Sequence, residues 1–313
     1  MTTERRAVID VGTNSVKLLV AEVAGQTVVP LFEGSEQTRL GRGFYETHRL
    51  QPETIRHTAE AVARFARAAA ELEPGSTRVI ATSAVRDATN AADLMAAIQR
   101  SSGLPVQIIS GETEAEWVYR GVATDPELHD HRLLILDVGG GSTEIILGER
   151  GHHSFRQSFP LGSVRLLEKL RPADPPSLAD LAGCRGWLKE YFNREIGPAL
   201  EALRGSPARG DVRLVGSGGT TTILGRMEQK MTGFGRDAID RTCLSRARLL
   251  ERMVELWGMP LAQRRQIIGL PPNRADVILM GVAIYEAVME HFGFDELLVT
   301  TRGLRFGAVM EPR

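Results

Sequence analysis

Residues 133–148 read LLILDVGGGSTEIILG, in which two apolar runs enclose three consecutive glycines. This pattern predicts a strand, a tight turn and a second strand. Because glycine has no Cβ atom, the amides of the turn can form a concave nest that binds phosphate. Asp137 and Glu144 lie at the two edges of the turn, and two carboxylates beside a phosphate suit Mg²⁺, which takes its remaining ligands from water and the phosphate. The alternative is an ordinary glycine-rich hairpin with solvated acids.

A second copy of the pattern lies near the N-terminus, where residues 7–20 read AVIDVGTNSVKLLV. Asp10 aligns with Asp137 without a gap, and Ser15 aligns with Ser142 at the same offset of 127 residues. This offset is too long for a solenoid repeat and suits two related domains. The sequence therefore predicts two glycine-cornered hairpins that hold a phosphate chain from both sides of an interdomain cleft.

The composition is that of a soluble globular protein large enough for two domains, with 313 residues, 42% hydrophobic and 25% charged. The formal net charge of −1 excludes a strongly basic nucleic-acid-binding body. No apolar run approaches the roughly 18 residues of a membrane span, and no signal-peptide pattern is present. We therefore expect a cytoplasmic protein with no nucleic-acid or membrane partner. Cys184 and Cys243 are isolated, which argues against a disulfide framework or a zinc site.

Strands and helices alternate along most of the chain, which predicts the α/β class. Residues 78–83 read as a buried strand, and Arg86 lies in the loop that follows. In open α/β sheets, residues just beyond the carboxyl ends of strands line the ligand crevice. Arg86 is therefore a candidate phosphate clamp, and the alternative is a surface ion pair with Asp87.

Three glutamates, Glu112, Glu114 and Glu116, crowd the start of a predicted helix that follows a strand at 105–109. Acids in a first helical turn favour the helix dipole, so helix stabilisation alone explains them. Their position beyond a strand end also allows a carboxylate to accept a proton from water or to orient it. The helix dipole would lower the pKa of such a glutamate and burial would raise it, and the sequence leaves this balance open.

Two glycine-rich loops are further candidates for ligand contact. Residues 216–222 read GSGGTTT between a predicted strand and a helix, and backbone amides at a helix N-terminus bind anions, so Gly218 is a candidate phosphate-binding residue. This corner lacks the Gly-Lys-Ser ending of a P-loop. Residues 39–43 read RLGRG, which is either a solvated basic turn or a loop that contacts substrate.

Seven short motifs occur in register along the chain: IDVGTNSVKLLV (9–20), TSAVRDA (82–88), ISGETEA (109–115), LDVGGGSTE (136–144), GSGGT (216–220), NRADVI (273–278) and RGLR (302–305). In this order they resemble the motifs of the Ppx/GppA family of exopolyphosphatases and guanosine pentaphosphate phosphohydrolases. The resemblance implies the actin/hexokinase/Hsp70-like fold. It also implies ribonuclease-H-like domains at residues 1–128 and 129–300, hinged around a cleft, with a final helix at about 301–313 that packs back on the first domain.

The same resemblance implies roles for individual residues. Glu114 resembles the catalytic base of the family, and Arg86 resembles its phosphate-contacting arginine. Asp137 and Glu144 resemble its metal-binding acids, and we expect Asp10 to join them at a site for Mg²⁺ or Mn²⁺. The residues expected to bind phosphate are those of the two hairpin turns and of the third glycine corner: Gly12, Thr13, Asn14, Ser15, Gly139, Gly140, Gly141, Ser142 and Gly218.

The implied activity is Mg²⁺-dependent release of terminal phosphate from inorganic polyphosphate, with Glu114 orienting and deprotonating the attacking water. Since no C-terminal helical extension follows residue 313, we expect shorter chains to be favoured. The first alternative is removal of the 5′-phosphate from guanosine pentaphosphate. The others are a sensor that binds alarmone or polyphosphate without hydrolysis, and an ATP-dependent kinase or chaperone of the same superfamily. The family resemblance also makes a homodimer the expected assembly.

Overall fold

The computed structural model describes residues 2–200 and 212–312, which form two mixed sheets flanked by helices. This arrangement agrees with the predicted α/β class. Three predictions lie outside the described residues. They are the end of a helix that the sequence predicts over 178–203, the start of a strand that it predicts over 211–215, and the last residue of the final helix expected at about 301–313.

The first sheet consists of β1 (Glu4–Val11), β2 (Val16–Ala24), β3 (Thr27–Glu36), β4 (Ser76–Ala81) and β5 (Val106–Ile108). Their order across the sheet is β3-β2-β1-β4-β5. The first three strands are antiparallel neighbours, whereas β4 runs parallel to β1 and β5 runs parallel to β4.

The helices of the first half are α1 (Phe44–Thr47), α2 (Pro52–Ala70), α3 (Ser83–Arg86), α4 (Ala91–Ser102) and α5 (Gly111–Val122). α2 begins at a proline, whose fixed φ and missing N–H suit the first helical position. Together α2 and α4 cover one face of the first sheet. The residues expected to form a loop after β4 begin instead with the single helical turn α3, which carries Arg86.

The second sheet consists of β6 (Arg132–Val138), β7 (Thr143–Glu149), β8 (His152–Phe159), β9 (Val212–Ser217), β10 (Cys243–Ser245) and β11 (Glu296–Val299). Their order is β10-β11-β9-β6-β7-β8. Strands β8-β7-β6-β9-β11 repeat the directions of β3-β2-β1-β4-β5, and β10 is an additional antiparallel edge strand. The two halves therefore share one topology, as the repeated sequence pattern predicts.

The helices of the second half are α6 (Ser163–Leu170), α7 (Leu178–Tyr191), α8 (Gly218–Glu228), α9 (Arg236–Asp240), α10 (Arg246–Trp257), α11 (Leu261–Arg264), α12 (Ile278–Phe292) and α13 (Leu304–Met310). α12 is buried along most of its length within the apolar core of this half. A 3₁₀ turn at Pro272–Arg274 precedes it. Across the described ranges, none of the helices combines the length and apolar character that a membrane crossing requires.

Two helices pack on the sheet of the opposite half. α5 follows the first sheet in the chain, yet it packs on the second sheet through Ala115, Val118, Tyr119 and Val122. α13 follows the last strand of the second sheet, and it packs on the first sheet through Phe306, Ala308 and Val309. This exchange ties the two halves together, and the division of the chain at residues 128 and 129 stays a prediction.

Candidate active site between the two sheets

The two hairpin turns have the same geometry. In the first, the Gly12 N–H donates to the Ser15 carbonyl at 3.0 Å, and in the second the Gly139 N–H donates to the Ser142 carbonyl at 3.0 Å. β1 pairs with β2 so that Asp10 lies opposite Lys17. β6 pairs with β7 so that Asp137 lies opposite Glu144. The predicted equivalence of the two segments therefore holds in three dimensions.

A cavity of about 290 Å³ lies between these turns. It is lined by every residue predicted for the site except Arg86, which reaches it through a contact to Glu114. The two turns, the corner at Gly218 and all four predicted acids thus face one space. The predicted interdomain cleft and the predicted site residues coincide in the structure, while the roles of those residues stay predictions.

The second turn lies directly against the first half. A Cβ atom on Gly140 would lie 2.9 Å from the Thr13 Cβ atom, which is shorter than real Cβ contacts. A Cβ atom on Gly141 would collide with the hydroxyl groups of Thr13, Ser83 and Tyr45. Glycine is therefore required at these positions so that the turns can approach each other and leave their amides free for a ligand.

Three carboxylates form the acidic wall of the cavity. The Ser217 hydroxyl donates to Asp137 Oδ2 at 3.2 Å, and the Ser158 hydroxyl donates to Glu144 Oε1 at 2.7 Å. Asp10 Oδ1, by contrast, is buried and makes no hydrogen bond to any described residue. A buried carboxylate oxygen without a partner is costly, so this atom is available for a ligand.

Burial raises the pKa of all three of these carboxyl groups. For Glu144 the pKa rises to about 7, with burial as the largest cause and the neighbouring Asp137 charge as the second. Attraction to Lys17 opposes the increase for Asp10 and Asp137. A bound cation would favour the ionised forms of all three groups.

The donor set fits Mg²⁺. Hard carboxylate oxygens are its preferred protein ligands, and it usually needs only one or two of them beside waters and substrate phosphate. Within residues 2–200 and 212–312, no three or more His, Cys, Asp or Glu side chains come together as a metal-binding group. An ion here would therefore contact one or two of these carboxylates directly and complete its coordination with water and phosphate.

Glu114 lies in the first turn of α5 and is buried. Arg86 Nη1 donates to Glu114 Oε2 at 3.1 Å and to the Ile109 carbonyl at 3.0 Å. Burial raises the pKa of Glu114 well above its ordinary value, the Glu144 charge raises it further, and Arg86 lowers it. Of the two effects that the sequence leaves open, burial dominates.

The alternative role considered for Arg86, an ion pair with Asp87, is wrong. Asp87 instead accepts a hydrogen bond from Arg165 Nη2 of the second half at 2.9 Å. Glu116 also turns away from the cavity and pairs with Arg156 of β8. Among the three glutamates at the start of α5, Glu114 alone lines the cavity.

Four cations at the cavity have no role assigned from the sequence: Lys17, Arg226, Arg274 and Arg305. Arg274 Nη2 donates to the Ser15 hydroxyl at 3.3 Å, and the Asn14 amide can be oriented so that its oxygen accepts from Arg274 Nη1 at 2.6 Å. Burial lowers the pKa of Lys17 and of Arg305, and it lowers that of Arg274 to about 10.

Sequence signals for three of these cations do exist. Arg274 and Arg305 belong to the NRADVI and RGLR motifs, and Lys17 lies at the position equivalent to Glu144. Arg305 is fixed by donating to the Leu18 carbonyl at 2.7 Å and to Glu33 Oε2 at 3.1 Å. Lys17 lines the cavity and its ammonium group donates no hydrogen bond to any residue that the structure describes, so this group is available for a ligand.

The loop at residues 39–43 braces the first turn. The Gly41 N–H donates to the Thr13 carbonyl at 2.7 Å, and the Arg39 N–H donates to the Asn14 carbonyl at 3.0 Å. The Arg39 side chain pairs with Asp276 of the second half. Of the two possibilities left open, the solvated basic turn is wrong, because this loop holds the turn and bridges the cleft.

These features define a class of protein, a two-lobed α/β fold in which two glycine-cornered hairpins, a buried glutamate and three further carboxylates line one cavity between the lobes. A comparison with protein families matches residues 19–312 to the Ppx/GppA phosphatase family. The chain therefore belongs to the Ppx/GppA phosphatase family, which confirms the predicted resemblance and the prediction of a hydrolytic enzyme.

Three similar proteins are of the same kind. Exopolyphosphatase 2 of Mycobacterium tuberculosis is 34% identical, and the match covers 99% of each chain. The solved Ppx/GppA enzyme of Aquifex aeolicus is 27% identical, with a TM-score of 0.80 over 99% of each chain. A solved exopolyphosphatase of Cytophaga hutchinsonii is 25% identical, with a TM-score of 0.86 over 97% of this chain and 96% of that one. These likenesses confirm the predicted actin/hexokinase-like fold with two domains.

Proposed function

We propose that this protein is a Mg²⁺-dependent exopolyphosphatase that releases the terminal phosphate of inorganic polyphosphate and prefers shorter chains. One observation carries the proposal: the buried carboxylate of Glu114 opens into the same cavity as the two glycine turns. The residues proposed as base, phosphate cradle and metal ligands thus line one small cavity. The likeness to Exopolyphosphatase 2 supports the choice of substrate.

In this proposal, backbone amides and cationic side chains bind the substrate. Phosphoryl transfer depends mainly on positioning and on neutralising the charge of the phosphoryl oxygens. The Gly12 and Gly139 amides close the two turns, so the amides presented from opposite sides are those of residues 13–15 and 140–142. Lys17, Arg274 and Arg305 supply positive charge around them. Because the amides belong to rigid hairpins, they need little rearrangement when the phosphate binds.

Water activation falls to Glu114. Its raised pKa makes its carboxylate a stronger base than an exposed glutamate, provided that it is ionised. Arg86 favours that ionised form and fixes the carboxylate through the 3.1 Å hydrogen bond. Glu114 would hold a water molecule in line with the terminal phosphorus and take its proton as the phosphoanhydride bond breaks.

Asp10, Asp137 and Glu144 would hold Mg²⁺ or Mn²⁺. When bound, the ion supplies positive charge against the phosphoryl oxygens. The unpartnered Asp10 Oδ1 supports this assignment, as do the raised pKa values of all three groups, because each would be stabilised by a cation. Which of the two metals serves is a question for the assay.

Two features support the preference for short chains. The cavity, at about 290 Å³, is at the lower end of the range of about 300–1,000 Å³ for small-ligand sites. The halves are also bridged beside it, since Glu168 of α6 accepts hydrogen bonds from the N–H groups of Gly43 at 2.6 Å and Tyr45 at 3.2 Å. A long polymer would have to thread past these contacts.

A panel of phosphate-release assays tests the function. Polyphosphates of several lengths and guanosine pentaphosphate would be compared with Mg²⁺, with Mn²⁺ and without metal. We expect the highest kcat/KM on short polyphosphate with Mg²⁺. Faster turnover of guanosine pentaphosphate would instead favour a 5′-phosphohydrolase. We also propose a cytoplasmic homodimer, on the basis of the family resemblance, and light scattering of the purified protein tests the dimer.

A further inference from the structure

The helix that carries Glu114 packs against the last helix of the chain at backbone contact distance. A Cβ atom on Gly121 of α5 would collide with the Gly303 carbonyl, and a Cβ atom on Gly307 of α13 would collide with the backbone of Trp117. Glycines at these positions allow the two helices to touch directly. A displacement of α13 would therefore displace α5 as well.

The Glu311 carboxylate, just beyond α13, interacts with two side chains of α5. Trp117 Nε1 donates to Glu311 Oε1 at 3.1 Å, and Arg120 forms an ion pair with the same carboxylate. These residues are three and six positions after Glu114 in the same helix. At a rise of about 1.5 Å per residue, these two contacts lie only about 4.5 to 9 Å from Glu114 along the axis of α5.

The segment around Glu311 is in turn fixed to the first sheet. Arg6 Nη1 of β1 donates to the carbonyls of Val309, Met310 and Glu311 at 3.3, 3.0 and 3.2 Å. Arg78 Nη2 of β4 donates to the Pro312 carbonyl at 2.7 Å. β1 carries Asp10, and β4 leads to Arg86. Glu311 therefore connects α5, which carries Glu114, to the two strands that position Asp10 and Arg86.

We propose that Glu311 is a positioning residue, which sets the location of Glu114 by clamping Trp117 and Arg120. The need arises because the two faces of α5 are held by different halves: Ala115, Val118, Tyr119 and Val122 pack on the second sheet, whereas Trp117 packs on α13 and the first sheet. Without the contacts from Glu311, α5 would move with the second sheet, and Glu114 would be displaced relative to Asp10 and Arg86. The catalytic part of this proposal rests on the proposed function. The mechanical part, that Glu311 holds α5, is independent of the substrate.

Steady-state kinetics on short polyphosphate test the catalytic part. A displacement of about 1 Å can cost up to about 10²-fold in rate, so we expect Glu311→Ala and Trp117→Phe to lower kcat by about 10-fold and to change KM by less than about 2-fold. Glu311→Gln should retain more of kcat than Glu311→Ala, because its amide oxygen still accepts from Trp117. Glu60→Ala, which removes an exposed ion pair on α2, is the matched control and should behave as wild type.

Hydrogen–deuterium exchange of the α5 amides tests the mechanical part without any substrate. In Glu311→Ala, residues 114–122 should exchange faster than in wild type, whereas α2 should be unchanged. Unchanged protection of α5 would overturn the proposal, and so would wild-type kcat in both Glu311→Ala and Trp117→Phe. A wild-type protein without phosphate release would refute the proposed function instead, and the exchange data would still decide whether the clamp exists.

Discussion

Lys17 occupies in the first sheet the position that Glu144 occupies in the second. Each lies one strand away from the aspartate that leads its hairpin, so that Lys17 is opposite Asp10 and Glu144 is opposite Asp137. The two hairpins share a backbone geometry but differ in charge at this position. The consequence we propose is a cation that can meet substrate phosphate beside Asp10 and a second carboxylate that can hold metal beside Asp137.

Lys17→Ala should therefore reduce catalysis with little loss of folded protein. Removing one preorganised donor from a transition-state site typically costs about 10²–10³-fold in kcat, and we expect a loss of about 10²-fold in kcat/KM on short polyphosphate. Phosphate release measures the loss, and circular dichroism checks the fold. Lys189→Ala, an exposed lysine on α7, is the control. Equal activity of the two variants would refute a role for Lys17.

The acid limb of the pH–rate profile should report the ionisation of the Glu114 carboxyl group. A general base acts only when ionised, and burial raises the pKa of Glu114, so activity should be lost on acidification at a pH above the ordinary carboxyl range. Arg86 lowers this pKa, so Arg86→Gln should move the acid limb to still higher pH. The profile is measured at saturating Mg²⁺, with Arg100→Gln on α4 as the control. A limb that stays in place or moves to lower pH in Arg86→Gln would contradict the assignment.

Gly141→Ala should separate the two hairpins. Its methyl group would collide with the hydroxyl groups of Thr13, Ser83 and Tyr45, so the second turn must retreat from the first. We expect kcat/KM to fall by at least about 10-fold. Gly183→Ala on α7 is the control, because a Cβ atom there meets no neighbour, and it should gain up to about 1 kcal/mol of stability. Undiminished turnover by Gly141→Ala would show that the close approach of the turns is unnecessary.

Metal should affect both activity and stability. Excess chelator should abolish phosphate release, and added Mg²⁺ should restore it. Because the ion would bind only the folded acidic wall, Mg²⁺ should also raise the melting temperature, and Asp137→Asn should reduce that shift. Calorimetry and the phosphate assay measure the two effects. Full activity in chelator would argue against the metal-binding wall.

The hairpins and their acids could be predicted from the sequence because the signal is local. Three consecutive glycines beside Asp137 specify a turn, and the gapless copy at Asp10 specifies its partner. The position of Glu114 also follows locally, since it comes directly after a strand end. Patterns of this kind depend on a few neighbouring residues, so they are independent of contacts with distant parts of the chain.

The rest depends on contacts between residues far apart in the chain. Arg274 reaches Ser15 across 259 positions, and no local pattern shows which hairpin an arginine will approach. The packing of α5 on the opposite sheet is likewise invisible in its sequence, because an apolar helical face fits either sheet, and the return of α13 to the first sheet was implied only by the family resemblance. The sequence leaves the role of the loop at residues 39–43 open for the same reason, since Asp276, the partner of Arg39, lies in the other half.

The most direct test of the account is phosphate release from short polyphosphate by Glu114→Gln. This substitution keeps the size of the side chain and a hydrogen-bond acceptor for Arg86, but it removes the basic carboxylate. General-base catalysis typically contributes about 10²–10⁴-fold, so we expect kcat to fall by about that factor while KM stays near the wild-type value. Wild-type kcat in a correctly folded Glu114→Gln would contradict the central claim that Glu114 activates the water.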